Sequence, residues 1–339
     1  MQSSITETNI NQRKYEPLLD KNLDRFTQLP LQFPELQKAY DEHEAKFWTA
    51  KEIDYNADLK DWNKLTNNEK YFIELILGFF AGADGIVLEN LMVNFINEVT
   101  APEARNFYAF QGMIENVHAQ TYANLLDTFI KDPNRKNELF KAIETIPCIA
   151  KKADWAIKWM NSDTPFEQRL VAFACVEGIF FSGSFCAIFW LKDKGIMTKA
   201  LGGSNELIAR DEGLHTDFAV LMYNNLNNKL DSSIIREIIS EAVYIEEEFI
   251  CEALKCDLIG MNSELMRDYI KFTADRLATN LGISEIFKKD NPFDFMNRIN
   301  MNSKTNFFEK RSNDYKHASI SSNDWNNIVK NEDEDEDEW

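Results

Sequence analysis

Glycine and proline are scarce in this chain of 339 residues, with 12 and 8 copies. So few helix-breaking residues, together with a hydrophobic content of 44%, favour a large and mostly helical protein with a sizeable core. The alternation of apolar and polar residues that is typical of strands is also missing, as is a glycine-rich phosphate-binding loop. These absences argue against a β-rich fold and against a nucleotide-binding domain.

Paired cysteines, excess basic charge and a secretory signal are lacking as well. The five cysteines form no Cys-x-x-Cys pair, which predicts reduced thiols in a cytoplasmic protein. The net charge is -19, with one acidic run at residues 332–338, so nucleic acid is not an expected partner. The N-terminal residues include no apolar segment of the kind found in secretory signals.

One apolar segment, residues 170–191, is long enough to span a bilayer. Its single charged residue, Glu177, lies inside the run, where a charge is costly in lipid. A helix buried on all sides within a bundle is therefore the favoured interpretation, and no membrane partner is expected.

The spacing of apolar residues divides the chain into helices. It predicts long helices near 67–99, 102–130, 164–191, 204–226 and 232–257. A threonine three residues before a glutamate predicts a capping box at three helix starts: Thr49/Glu52, Thr66/Glu69 and Thr100/Glu103. The periodicity fades near residue 302. We therefore predict a flexible N-terminal segment, a helical domain and a flexible C-terminal tail, at residues 1–25, 26–300 and 301–339.

The pattern Glu-x-x-His occurs twice, as Glu115/His118 and Glu212/His215, in a chain with only four histidines. Residues three apart on a helix share one face, so each pair offers a carboxylate and an imidazole to the same point. An isolated acid in an apolar helix precedes each pair at a similar distance. These two acids are Asp84 and Glu177.

Four carboxylates and two imidazoles suit two divalent cations, and such oxygen-rich ligation favours iron or manganese over structural zinc. One acid from each of two helices, with Glu-x-x-His from two more, is the plan of the ferritin-like di-metal carboxylate proteins. Asp84 departs from that plan, which has glutamate there. A single Glu-x-x-His usually lies on a solvated face, and we assign the nearby Glu89 and Glu206 to surfaces or caps. The repetition predicts an all-α, ferritin-like helical bundle with a buried di-metal carboxylate site.

Beyond these motifs, the chain resembles the small subunit of class I ribonucleotide reductase, of the eukaryotic or large-DNA-virus type. The resemblance runs from about residue 25 to about residue 315. It rests on the stretches FWTAKEID, FFAGADGIVLENL, IENVHAQTY, VEGIFFSGSF, SNELIARDEGLH and KTNFFEKR. It implies a homodimer with two iron ions per chain, manganese being possible, that acts only with a large subunit holding the ribonucleotide.

The resemblance also implies a role for each site residue. Six residues would bind the two metal ions: Asp84, Glu115, His118, Glu177, Glu212 and His215. Tyr122, one helical turn after His118, would become a stable radical after the reduced metal pair reacts with oxygen. Three residues would form the apolar pocket around that radical: Phe181, Phe185 and Ile208.

Three further residues would carry the radical away from the metals. Trp48 and Asp211 would take it from His118 toward the surface, and Tyr315 would relay it to the large subunit. Without the resemblance, Trp48 is a packed aromatic residue, Asp211 is an acid on a helix surface and Tyr315 is unremarkable.

The C-terminus departs from the resemblance, because relatives usually end in a short apolar and acidic peptide that closes with phenylalanine. This chain ends DWNNIVKNEDEDEDEW. We expect Trp339 to replace the terminal anchor for the large subunit; the alternative contact consists of Trp325, Ile328 and Val329. Other functions stay open: a specialised paralogue beside a conventional small subunit, a ferritin-like di-iron oxidase with its own substrate, and an iron-storage or regulatory scaffold.

Overall fold

Helices make up the regular structure of residues 13–161 and 163–296, which the computed structural model describes and in which no strand occurs. The α-helices of these residues are α1, Pro34–Glu44; α2, Leu59–Trp62; α3, Asn67–Asn90; α4, Ile96–Glu98; α5, Pro102–Phe129; α6, Pro133–Phe140; α7, Ala142–Thr145; α8, Pro147–Trp159; α9, Phe166–Cys175; α10, Ser182–Asp193; α11, Ala200–Asn225; α12, Ser232–Glu247; and α13, Ser263–Asn280. The all-α prediction is confirmed.

Short non-α turns join several of these helices. Three are π-helical: Leu91–Phe95, Val176–Phe180 and Glu248–Ala253. Five are 3₁₀ turns: Pro17–Leu19, Lys21–Leu23, Ala50–Glu52, Tyr55–Asp58 and Cys256–Ile259.

The five predicted long helices are present, and a π turn interrupts three of them. The helix predicted near 164–191 consists of α9, the π turn Val176–Phe180 and α10. A π turn inserts one residue into the helical ladder, so α9 and α10 do not continue the same spacing. Apolar periodicity alone does not reveal this insertion.

Two of the three predicted capping boxes form. At the start of α3, Thr66 N donates to Glu69 Oε2 at 2.8 Å and Glu69 N donates to Thr66 Oγ1 at 3.2 Å. The second box pairs Thr49 N with Glu52 Oε1 at 2.8 Å. It begins only the short turn Ala50–Glu52 and not a long helix.

The third capping box, Thr100/Glu103, was predicted wrongly. Helix α5 begins after Ala101, with Pro102 in its first turn. Thr100 Oγ1 instead donates to Leu18 O at 3.1 Å. Glu103 Oε1 accepts from Gln32 N at 2.7 Å. Both side chains hold the N-terminal part of the chain, which a local sequence pattern does not reveal.

Residues 13–25 make defined contacts with the helices. Thr100 N donates to Leu18 O at 2.8 Å, and Asn227 N donates to Glu16 Oε2 at 2.8 Å. The domain boundaries at residues 25 and 300 stay predictions. Several predicted functional residues lie outside the described residues: Tyr315, Trp325, Ile328, Val329 and Trp339.

Two helical segments are long and apolar enough to cross a membrane, namely Asn67–Glu98 and Phe166–Asp193. Within their most apolar windows, 61% and 94% of the residues are buried inside the protein. Burial of this extent is typical of core helices, which agrees with the interpretation of residues 170–191 as a buried helix.

A buried ion pair links the helices behind the π turn Val176–Phe180. Lys152 Nζ on α8 lies 2.5 Å from Glu246 Oε2 on α12, and both side chains are at most 1% exposed. Lys152 Nζ also donates to Phe180 O at 2.5 Å, and Gly183 N donates to Glu246 Oε1 at 3.1 Å. The pair therefore holds the last residue of this π turn and the first turn of α10, directly after the segment that carries Glu177.

We expect Lys152→Met to lower the free energy of unfolding by about 3–5 kcal/mol, because it leaves the Glu246 carboxylate buried without its cation. Urea unfolding of the metal-free protein measures the change. The matched control is Lys151→Met, whose ammonium is 42% exposed and pairs with Glu248; a change below about 1 kcal/mol is expected there. Equal unfolding midpoints for the two variants would contradict the stabilising role of the buried pair.

Candidate metal centre

Four helical segments bring the six predicted ligands together. Asp84 lies on α3, Glu115 and His118 lie on α5, and Glu177 lies in the π turn after α9. Glu212 and His215 lie on α11. None of the six is more than 3% exposed. Each candidate ligand therefore lies on the buried face of its helical segment, among apolar residues.

The ligand atoms form two adjoining groups that share Glu115. One group contains Asp84, Glu115 and His118; the other contains Glu115, Glu177, Glu212 and His215. Within each group the ligand atoms lie within 4.8 Å of one another. Glu212 also approaches both groups, because Oε1 lies 3.1 Å from His118 Nδ1 and Oε2 lies 2.9 Å from His215 Nδ1. The geometry suits two neighbouring cations bridged by carboxylates.

Several of these buried ligand atoms have no hydrogen-bond partner. They include Asp84 Oδ2 and Glu177 Oε2. An unsatisfied carboxylate oxygen in a dry interior is costly unless a cation or a donor meets it. The donor set and its unpaired oxygens therefore fit a pair of divalent metal ions.

A hydrogen-bonded chain leads away from His118. His118 Nε2 lies 3.3 Å from Asp211 Oδ2, which also accepts from Trp48 Nε1 at 2.7 Å. Arg210 Nη2 donates to Asp211 Oδ1 at 2.8 Å. Asp211 is only 1% exposed, so the alternative interpretation of it as a helix-surface acid was wrong. The structure thus joins His118, Asp211 and Trp48 through one carboxylate.

The sequence of residues 25–292 matches the family described as ribonucleotide reductase, small chain, which is most of this chain. The chain belongs to that family. The family is metal-dependent and forms the small subunit of an oxidoreductase that works with a large subunit.

The relatives of this small chain span plants and viruses. It is 53% identical over 307 residues to the ribonucleoside-diphosphate reductase small chain of Nicotiana tabacum, covering 91% of this chain and 93% of the relative. It is 53% identical over 313 residues to the small chain of Variola virus, covering 92% and 98%.

A solved relative shares the fold of this small chain. The ribonucleotide reductase Rnr4 homodimer from Saccharomyces cerevisiae matches with a TM-score of 0.77 and 37% identity, over 89% of this chain and 93% of that one. The prediction of a ferritin-like helical bundle is confirmed.

Tyr122 lies next to the cluster in a wall of aromatic rings. Its side chain is 1% exposed and its hydroxyl has no hydrogen-bond partner. The ring stacks on Phe80, with centroids 4.5 Å apart and planes 5° apart. Phe185 and Phe181 contact that same Phe80 ring at 5.1 and 5.6 Å. Phe80, which was not predicted as a pocket residue, therefore makes the closest ring contact with the phenol.

The third residue predicted for the apolar pocket, Ile208, is also buried. Ile208, on α11 and 1% exposed, lies one helical turn before Glu212.

Glu89 is exposed on α3, and Glu206 pairs with Lys192 at 2.7 Å. The assignment of these two acids to the surface is consistent with their positions, because neither is part of the ligand groups.

Two polar residues beside the ligands were missed by the sequence analysis. Gln111 Nε2 donates to Glu177 Oε1 at 3.0 Å, and Gln111 lies one helical turn before Glu115 on α5. His43 Nε2 lies 3.3 Å from His215 Nε2. The spacing of Gln111 relative to Glu115 is a usable signal, whereas the charged neighbours of His43 in DEHEAK indicate a solvated face.

The carboxylates and imidazoles of the cluster shift one another's pKa values. Burial, followed by the charge of neighbouring carboxylates, raises the pKa of Asp84 and of Glu177 well above the usual range. Burial lowers the pKa of His215, but the charges of Glu212 and Glu115 outweigh it and raise that pKa to about 9. In the metal-free protein, the raised pKa values of Asp84, Glu177 and His215 therefore keep protons on the cluster near neutral pH.

Binding of Mn²⁺ to the metal-free protein is expected to release about one or more protons per chain at pH 7, because His215 and the raised carboxyl groups must deprotonate to act as ligands. The apparent affinity should consequently rise from about pH 6 to about pH 9. Calorimetry in two buffers with different ionisation enthalpies measures the released protons. Glu89→Gln, an exposed change on α3, is the control and should release the same number; an affinity independent of pH would contradict the prediction.

Proposed function

We propose that this small chain uses two metal ions to oxidise Tyr122 and that the radical then passes to the large subunit, where ribonucleotides are reduced to deoxyribonucleotides. The observation that carries the proposal is the position of the buried, unpartnered Tyr122 hydroxyl: it lies one helical turn after His118, where the charges of Asp84, Glu212 and Glu115 act on it. A phenol beside an oxidising metal centre can lose an electron and a proton and become a radical. The Tyr122 hydroxyl makes no hydrogen bond that would give it a structural role instead.

The metals we propose are two iron ions. Asp84, Glu115 and His118 would hold one ion, and Glu177, Glu212 and His215 would hold the other. Glu115 faces both groups, which supports a bridging role. Bound iron supplies the one-electron oxidising chemistry that dioxygen drives; manganese, which accepts the same donors, is the alternative.

Oxidation of Tyr122 requires the loss of one electron and one proton. Burial and then the charge of Asp84 raise the pKa of the phenol well above its usual value, so the phenol is protonated before it reacts. Asp84 is the carboxylate whose charge acts most strongly on the phenol, and it is the acceptor we propose for the phenolic proton once metal binding keeps it ionised. The aromatic wall that Phe80, Phe181 and Phe185 form excludes water and reductants, so the radical would persist.

The route that we propose for the radical runs from the cluster through His118, Asp211 and Trp48, and then to Tyr315. Trp48 Nε1 donates to Asp211 Oδ2, so the carboxylate can take the indole proton when Trp48 is oxidised. Burial raises the pKa of Asp211, but His118 and Arg210 outweigh that effect and lower it to about 2. Asp211 is thus an ionised acceptor at neutral pH.

The proposed assembly is a cytoplasmic homodimer docked on its large subunit. Exposed apolar side chains on neighbouring helical segments support the dimer: Met92 is 37% exposed, Val93 60% and Met113 36%. We propose that the C-terminal tail contacts the large subunit through Trp339, with Trp325, Ile328 and Val329 as the alternative contact. The excess of negative charge makes nucleic acid an unfavourable partner.

Two cavities in the described residues bear on a di-iron oxidase with its own substrate. Their volumes are about 20 and 10 Å³, and none of the six ligand residues lines either of them. Neither cavity offers room for an organic substrate beside the metals. Neither cavity therefore supports a di-iron oxidase with its own substrate.

Tyr122→Phe should keep about two irons per chain and lose the radical, because the ligands stay in place while the oxidisable hydroxyl is removed. Electron paramagnetic resonance after ferrous iron and air, with metal counted alongside, measures both quantities. The matched control is Tyr108→Phe on the same helix, since Tyr108 is equally buried and its hydroxyl also lacks a partner. The same doublet in Tyr122→Phe as in the parent would sink the assignment.

Trp48→Phe should leave the metal content and the Tyr122 radical intact but reduce nucleotide turnover with the large subunit to below about 1% of the parent rate, because the indole N–H to Asp211 is lost. The turnover assay is run with both subunits present. Trp62→Phe is the control, because Trp62 is also buried but stacks on Phe129 and not on His118. Parental turnover in Trp48→Phe would remove this residue from the route.

A further inference from the structure

The two ligand imidazoles differ in what lies behind them. Both His118 and His215 direct Nδ1 to carboxylates of the cluster, at 3.1 Å from Glu212 Oε1 and 2.9 Å from Glu212 Oε2 respectively. On the outer side, His118 Nε2 faces the carboxylate of Asp211 at 3.3 Å. His215 Nε2 faces another imidazole, His43 Nε2, also at 3.3 Å. The outer partner of His118 is therefore a carboxylate, whereas the outer partner of His215 is a second imidazole.

His43 occupies a site that is closed to solvent. It lies in the last turn of α1, is 1% exposed, and contacts the rings of Phe107 at 5.1 Å and Phe110 at 4.8 Å. Its Nδ1 has no hydrogen-bond partner. A buried imidazole between two phenyl rings is costly unless its polar atoms are used, and the single polar contact that the His43 side chain makes in the described structure is to His215.

A histidine that binds a metal through one nitrogen normally donates its other N–H to an acceptor, which fixes the tautomer and the ring orientation. With Nδ1 of His215 facing Glu115 and Glu212, the outer proton must be on Nε2. His43 Nε2 is the atom within reach to accept it. Removal of such an outer partner typically weakens metal binding by about 10- to 100-fold.

We propose that His43 is a positioning residue for the metal site of Glu177, Glu212 and His215, where it accepts the Nε2–H of His215 and keeps Nδ1 directed at the metal. The inference rests on the proposed role of His215 as a ligand. Among the described contacts, His43 is the side chain through which α1 reaches the cluster. The proposal therefore gives α1 a part in metal binding.

The test compares two replacements of His43 in the full chain by titrating metal-free protein with Mn²⁺ and detecting free Mn²⁺ by electron paramagnetic resonance. His43→Leu fills the space between the phenyl rings without an acceptor, whereas His43→Gln keeps an acceptor oxygen. The parent should bind two Mn²⁺ per chain. His43→Leu should weaken one of the two by about 10- to 100-fold, and His43→Gln should stay within about threefold of the parent.

Tyr40→Phe is the matched control, because Tyr40 lies on α1 and contacts the same Phe110 ring but does not reach the cluster; its two Mn²⁺ affinities should equal those of the parent. Parental affinities in His43→Leu would overturn the proposal, and so would equal losses in His43→Leu and His43→Gln. If the parent and His43→Leu both bind two Mn²⁺ with equal affinity, the proposed metal centre is supported and only the role of His43 is overturned. A parent that binds no Mn²⁺ overturns both.

A second measurement needs no variant. In metal-free protein with ¹⁵N-labelled imidazoles, an Nε2–H···Nε2 hydrogen bond gives a scalar coupling between the nitrogens of His43 and His215, and four histidines keep the spectrum simple. The coupling is expected in the parent and absent in His43→Leu. Its absence from the parent would overturn the hydrogen bond, whatever the folding of the variants.

Discussion

Four carboxylates and two imidazoles share one dry interior volume, and the rest of the molecule is organised around the electrostatic cost of keeping them there. Like charges at these distances repel strongly where water is excluded. Without metal, the carboxyl groups with raised pKa values and the protonated His215 relieve the repulsion. Two divalent cations do so more completely, because they also satisfy the carboxylate oxygens that lack donors. The long apolar helices supply the burial that makes such a site selective for strongly charged ions.

The convergence of the six candidate ligands was predictable because helical geometry translates directly into sequence spacing. Glu115 and His118 had to share a face once their segment was helical, and the same holds for Glu212 and His215. Asp84 and Glu177 stood out as single charges on apolar faces. Their convergence required only that each helix bury its apolar face in a common core. Local rules therefore predicted most of the fold and the convergence of all six candidate ligands.

What escaped prediction depends on contacts between residues distant in sequence. The threonine and glutamate of the failed third capping box have the right spacing, but the N-terminal segment engages both side chains. His43 has charged neighbours along the chain and aromatic neighbours in space, so its sequence context gave the wrong environment. Asp211 lies on α11 among polar residues, so the sequence does not show that it is buried. Its burial follows from contacts with Trp48 and His118, which are distant in sequence.

The π turn Val176–Phe180 sets a constraint on chain length. One inserted residue rotates everything after it by about 100° relative to a regular helix. Helices α9 and α10 therefore present different faces to the core, and Glu177 lies at the change of phase. Loss of one residue here would produce a more regular helix and would also turn one half of its apolar surface outward. We therefore expect this segment to tolerate a change of apolar side chain more readily than a change in its number of residues.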